Sequence, residues 1–346
     1  MKKHRILPLV LAGLAALSLT ACASAGDNAF DASKRIIRVS HAQSEQHPQH
    51  IAMEAFEKYV EDRLGDKYDV QIYPNELLGA AQKAIELCQT GAIDFVIAST
   101  ANLETFANVY EIFSMPYLFT SQDAYYAMME DTDYMSKIYA STDAAGFEAL
   151  TWFTAGTRNF YAKKPIRTPD DLKGMKIRVQ QSPASVAMMK AFGAAATPMS
   201  FGEVYTAIQQ GVIDGAENNE LALTNNKHGE VAKYFSYDMH QMCPDMLIGN
   251  VKFLDSLSPE DRKVFEDAAR EATKVELEEW DQQIADAKKV AQEQMGVEFI
   301  DVDVKAFQAK VGDLQKQLLA ENPNIQPIYE HVQEVNAQYE QAGGKS

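Results

Sequence analysis

Residues 172–219 place one arginine, one aromatic ring and one primary amide close to the ends of short apolar runs: Arg178, Phe201 and Asn218. A guanidinium is planar and always charged, and it meets a carboxylate through two parallel hydrogen bonds, which a lysine cannot do. An amide supplies donor and acceptor together, which suits a carboxylate beside a hydroxyl. An aromatic ring offers a flat apolar surface for a carbon skeleton. This set is suited to holding an anion. It lacks the nucleophile and base that bond cleavage would need.

The elements around these residues follow from their punctuation. Thr168-Pro169-Asp170-Asp171 opens a helical turn with a capping residue, a proline at the first position and an acid at the third, and Gly174 stops it. A strand is expected over 175–179, a helix from the Ser182-Pro183 cap to Phe192-Gly193, and a short strand toward Met199. A third helix over 202–210 ends at Gly211, and a strand follows over 212–215. Repeated β-α-β punctuation of this kind builds an α/β sheet whose C-terminal strand ends hold polar residues, where such sheets bind ligands.

One theme occurs twice. Residues 84–95 and 205–215 each read as helix, glycine, apolar residue, Ile-Asp, strand, with Gly91 and Gly211 as the stops. Each copy fits the core of one lobe. Ser258-Pro259-Glu260-Asp261 opens a helical pattern that continues to about Gln294, long enough to outrun a single lobe.

The chain has 346 residues and a formal charge of −17. Lys2, Lys3 and Arg5 precede an apolar run over 6–19 that is short for a membrane span and is followed by small residues, the pattern of an export signal. Taking those three from 32 basic residues leaves 29 against 49 acidic, about −20. Such a field repels nucleic acid and anionic membrane surfaces. An anion must therefore be bound by local arginines. Cys88 and Cys243 are too few for a disulfide framework, and Cys88 sits on the apolar side of its helix as a buried thiol. There is no zinc spacing, phosphate loop, dinucleotide fingerprint, Gly-x-Ser-x-Gly elbow or His-Glu-x-x-His, so neither a cofactor nor an enzymatic activity is expected.

The strings LKGMKIRV, TPMSFGEVY and GVIDGAENN, with YPNELLG, GAIDF, MPYL and GTR upstream, resemble the DctP-type substrate-binding proteins of tripartite ATP-independent periplasmic (TRAP) transporters. The resemblance runs over essentially the whole mature chain. It implies a two-lobed periplasmic-binding-protein (Venus-flytrap) α/β fold, each lobe a β-sheet flanked by helices, with a long lobe-spanning helix. It also implies a monomer that captures a small organic or sugar acid and hands it to membrane permease subunits.

In the family's pattern Arg178 forms a two-pronged pair with the ligand carboxylate, Arg158 helps clamp it, Asn218 contacts it and Phe201 packs on the carbon skeleton. His41, Gln43, Glu76 and Ser99 from the first lobe, and Asn219 and His240 from the second, are further candidates for ligand contact. Their hydroxyls, amides and imidazoles suit a polyol, and the strings around Asn218 look most like members that take hexuronates, aldonates or keto-sugar acids. A C4-dicarboxylate, a sialic acid or a keto acid is also compatible with an arginine clamp, and the same fold serves ligand-presenting sensors.

The expected organisation is a signal over 1–22, a flexible tether over 23–34, a first lobe over 35–155 with later segments returning to it, a second lobe over 156–250, and C-terminal helices over 251–346 bracing both. Leu19-Thr20-Ala21-Cys22 resembles a lipoprotein processing site with Cys22 as the lipidated residue, whereas Ala23-Ser24-Ala25 reads as a signal for plain cleavage. Either route leads to the periplasm.

Overall fold

The computed structural model describes residues 33–343. The export signal, Cys22 and all but the end of the tether lie outside the described residues. The strands in chain order are β1 (Arg35–Ser40), β2 (Tyr68–Tyr73), β3 (Phe95–Ser99), β4 (Phe147–Phe153), β5 (Arg158–Ala162), β6 (Lys176–Val179), β7 (Ala195–Pro198), β8 (Gly215–Asn218), β9 (Tyr234–Gln241), β10 (Asp245–Asn250) and β11 (Glu298–Asp301). They form two mixed sheets, β2-β1-β3-β10-β4 and β11-β9-β5-β8-β6-β7, each flanked by helices. β10 falls in the 156–250 range expected for the second lobe, yet it runs antiparallel between β3 and β4 of the first sheet. All six of its residues are buried, which an interior position in a covered sheet requires.

The duplicated theme has a physical basis in both lobes. The helices Ala81–Thr90 and Val204–Gln210 end at Gly91 (φ 79°) and Gly211 (φ 75°), in the left-handed conformation that costs glycine least. The chain then winds off each helix, Ala92 N–H donating to Leu87 C=O and Val212 N–H to Ala207 C=O, both at 2.9 Å. Ile93 and Ile213 drop into the cores. Each aspartate accepts the backbone N–H that opens or lies within a neighbouring strand: Asp94 from Arg38 at 2.9 Å, Asp214 from Lys176 at 2.8 Å. The strands therefore begin after the Ile-Asp pair, later than the pattern suggests, and β8 ends on Asn218.

The long helix runs Pro259–Met295, 37 residues, or about 55 Å. Ser258 Oγ accepts the Asp261 N–H at 3.1 Å to start it, and Gly296 (φ 68°) ends it. Phe265, Ala268, Ala269 and Ala272 pack into the core of the first lobe, and Ala291 into that of the second. A further apolar core joins Phe113 and Met246 of the first lobe to Phe160, Met188 and Phe192 of the second, with Phe307 and Leu318 from the C-terminal helix Val304–Glu321. The lobes thus share a packed floor under a polar cleft.

The chain crosses between sheets at residues 154–157 and 242–244. Gly156 in the first crossing has φ +59°, and a Cβ there would sit 2.7 Å from Trp280 Cζ2 on the long helix. Gly156→Ala is therefore expected to cost roughly 1–3 kcal/mol, from left-handed strain together with displacement of a buried indole. Thermal denaturation of the ligand-free chain should show a melting point lower by several degrees. An unchanged melting point would mean that Trp280 gives way without penalty.

Candidate ligand-binding site

The cleft lies where strand ends of the two sheets face one another. Arg178 stands on β6, between Thr197 of β7 and Ala216 of β8. It is 4 % exposed. Its Nε–H and one Nη2–H converge on the Met199 carbonyl at 3.1 and 3.0 Å. That grip uses one side of the guanidinium and leaves the end-on pair, both Nη1 hydrogens and the second on Nη2, for the cleft. Phe201 lies 5.5 Å from the guanidinium carbon, measured to the ring centroid, and restricts it further. No carboxylate among the described residues is within ion-pairing distance of Arg178. Burial pulls its pKa down, opposed by Glu217, but guanidinium stays protonated at any ordinary pH.

Arg158 opens β5 and is equally buried, but its charge is matched. Nε and Nη2 donate to the Glu217 carboxylate, Nη2 also to the Glu217 carbonyl at 2.9 Å, and Nη1 to Asn218 Oδ1 at 3.3 Å. One Nη1 hydrogen is left. Asn218 Oδ1 accepts in addition from Asn219 N and Nδ2, at 2.9 and 3.0 Å, so its amide is fixed with Nδ2 as the remaining donor. Asn219 lines the cleft but is taken up by the backbone: Nδ2 donates to Ala155 C=O and Oδ1 accepts from Leu221 N–H, each at 2.9 Å.

From the first lobe, Gln43, Glu76 and Ser99 reach the cleft wall, as sequence patterning suggests. Oε1 of Gln43, of Glu76 and of Gln180 are buried acceptors with no hydrogen-bond partner. Ser99 Oγ lies 3.3 Å from Cys243 Sγ. Cys243 and Cys88 are both buried, unpaired thiols.

Two candidate histidines stand behind the wall instead of on it. His41 accepts the Gln43 N–H on Nδ1 at 3.2 Å and meets His50 Nδ1 through Nε2 at 3.0 Å, so both ring nitrogens are occupied. Burial, then the neighbouring His50 and His47, lower its pKa to about 3 and keep it neutral. His240 has no exposed surface; its Nδ1 is 2.8 Å from Asp238 Oδ2 and its Nε2 3.5 Å from Glu217 Oε2. Burial would lower its pKa, but the Asp238 charge and hydrogen bond, then Glu217, raise it to about 9.

His47, Gln49, Gln180, Asp245 and Trp280 also line the wall. His47 accepts the Gln49 N–H on Nδ1, capping the helix Pro48–Leu64, and Gln49 Nε2 donates to Asp245 at 2.6 Å. Trp280 is the least legible of these, because a tryptophan inside a long amphipathic pattern reads as core. Among the described residues no cluster of His, Cys, Asp and Glu is arranged to hold a metal.

The arrangement is one uncompensated guanidinium in a pocket of amides and buried acceptors, divided between two lobes. The family model for bacterial extracellular solute-binding proteins, family 7, matches residues 39–322. The chain belongs to this family. It is a TRAP transporter solute-binding protein, a periplasmic transport component and not an enzyme. A TRAP periplasmic solute-binding protein from Anaerococcus prevotii, solved with bound D-glucuronate, is 53 % identical with a TM-score of 0.87, covering 88 % of this chain and 99 % of that one. A second, from Sulfitobacter sp. NAS-14.1 with bound β-D-galacturonate, is 32 % identical with a TM-score of 0.81, covering 85 % and 98 %. The 2,3-diketo-L-gulonate-binding periplasmic protein of Escherichia coli is 30 % identical over 333 residues, 94 % of this chain and 97 % of its own.

Proposed function

We propose that this solute-binding protein captures a D-hexuronate between its lobes and delivers it to TRAP permease subunits. The observation that carries the reading is Arg178, the one of the two cleft arginines with no carboxylate partner among the described residues, in a pocket with buried acceptors that have no partners. Arg178 takes the ligand carboxylate end-on, Asn218 Nδ2 and the last Arg158 hydrogen donate beside it, and Phe201 covers the pyranose ring. Oε1 of Gln43, Glu76 and Gln180, with Asp245, accept from sugar hydroxyls. The glucuronate and galacturonate complexes of similar proteins support the same ligand class.

The charge balance argues against a C4-dicarboxylate. Its second carboxylate would need a second uncompensated cation, and the other arginine in the cleft is already neutralised by Glu217. Titration calorimetry of the mature chain with D-glucuronate, D-galacturonate, D-glucose and succinate tests this. Both uronates should bind at least about a hundredfold tighter than glucose or succinate, a difference of about 2.7 kcal/mol. Tight succinate binding, or glucose binding comparable to glucuronate, would overturn the reading.

A further inference from the structure

Glu76 occupies an unusual backbone position. Asn75 and Glu76 are consecutive non-glycine residues in the left-handed region, at φ 55° and 57°, a conformation that persists only where surrounding contacts impose it. Here the Asn75 N–H donates to Gln43 C=O at 2.9 Å, the Glu76 N–H to His41 C=O at 3.1 Å, and the Gly79 N–H to Glu76 C=O at 2.8 Å. The strained pair points the Glu76 side chain across the cleft. Its Oε2 accepts the backbone N–H of Gly202, in the opposite lobe, at 3.2 Å. A Cβ on Gly202 would lie 2.8 Å from that oxygen, so a side chain there would push the carboxylate end away from this N–H. The other oxygen, Oε1, is buried in the cleft wall without a partner.

We propose that Glu76 is a specificity-determining residue: Oε1 receives a ligand hydroxyl while Oε2 holds the opposite lobe, so recognition of a hydroxylated acid is coupled to closure. The inference rests on the hexuronate reading and adds how that ligand is told from other monoacids. A buried carboxylate oxygen left without a donor is costly, and a ligand O–H removes that penalty only while the lobes are together. An acid lacking hydroxyls leaves Oε1 unmet and also sets its own negative charge near another. Burial raises the pKa of Glu76 and the Gly202 and Phe201 N–H groups lower it, so the carboxylate suits an acceptor role wherever it is ionised.

The test uses the mature protein, Glu76→Ala and Gly202→Ala, titrated calorimetrically with D-glucuronate and with tetrahydropyran-2-carboxylate, a ring acid without hydroxyls. Small-angle scattering with and without each acid reads closure. Both variants should bind D-glucuronate at least about tenfold more weakly, as expected for a lost charge-assisted hydrogen bond, and compact less with it. Affinity for the hydroxyl-free acid should stay within about threefold of wild type. Gly202→Ala matters because it keeps the Glu76 side chain and crowds only its contact with the second lobe. Equal losses for both acids would show that Glu76 merely shapes its loop, and unchanged or tighter glucuronate binding would show that it only repels anions. Failure of the wild-type chain to bind D-glucuronate would overturn the hexuronate reading itself, a result separate from either outcome in the variants.

Discussion

Arg178→Ala is expected to weaken D-glucuronate binding by at least about a hundredfold, near 2.7 kcal/mol, without lowering the melting point of the ligand-free chain by a comparable amount. A charge-assisted hydrogen bond contributes roughly 1.5–3 kcal/mol, and stranding a carboxylate in a closed cleft adds the desolvation it cannot recover. The ligand-free chain behaves differently because Arg178 has no acid partner there, only the Met199 carbonyl. Truncation therefore leaves no buried counter-charge behind. Arg178→Lys keeps the charge but cannot both hold Met199 and present an end-on pair, so it should recover only part of the affinity. Calorimetry on folded variants decides the matter. Near-wild-type affinity for the alanine variant, or full rescue by lysine, would make Arg178 a structural residue.

The legible parts of this molecule are those whose signal is local. Helix stops at Gly91, Gly193 and Gly211, the caps at Ser182 and Ser258, and the duplicated Ile-Asp unit are each set within a few residues, and the structure shows them. The return of β10 to the first sheet has no such local mark. A buried strand reads alike in either sheet, and only the long-range pairing with β3 and β4 distinguishes them.

The site follows the same rule. Arg178, Phe201 and Asn218 stand in strings that resemble a family, and the structure brings them together in one wall. Glu217 lies inside the same GAEN string yet reads as one more acid in an acidic chain. Its meaning comes from a fully buried four-residue strand that places it against Arg158. His41 and His240 show the converse. Both sit where polar residues gather, yet both ring nitrogens of His41 are occupied, and His240 has no exposed surface and lies between Asp238 and Glu217; which of two adjacent polar residues faces the cleft is set by side-chain packing that spacing alone does not encode.

Behind Asn218, Arg158, Glu217, His240 and Asp238 form a buried chain of alternating charge, and breaking it is expected to have the largest effect on stability of any substitution considered. Burial alone would raise the Glu217 pKa; the Arg158 charge, then the hydrogen bonds from His240 and Arg158, outweigh it and hold it at about 2. Glu217→Gln removes the shared anion and leaves a guanidinium and an imidazolium buried side by side. Removing one partner of a buried pair costs roughly 3–5 kcal/mol. For a chain of this size that corresponds to a melting point lower by roughly 5–8 °C. The wild-type pH profile carries the same signature. A carboxylate depressed from 4.5 to about 2 stabilises fully above pH 4.5 and loses that contribution as pH falls toward 2, whereas a histidine raised from 6.5 to about 9 stabilises fully below pH 6.5 and loses it as pH climbs toward 9. The contribution of this pair should therefore be flat between about pH 4.5 and 6.5 and fall on both sides, on top of a decline below pH 6.5, shared by wild type and variant, from buried histidines such as His41 that stay neutral in the fold. In Glu217→Gln the acid flank should shrink because its titrating group is gone, and the alkaline flank should shift to lower pH because His240 keeps only Asp238 as a partner. Equal melting points for wild type and Glu217→Gln at pH 5.5, or superimposable pH profiles, would show that the chain of charges is not what holds this wall of the cleft in place.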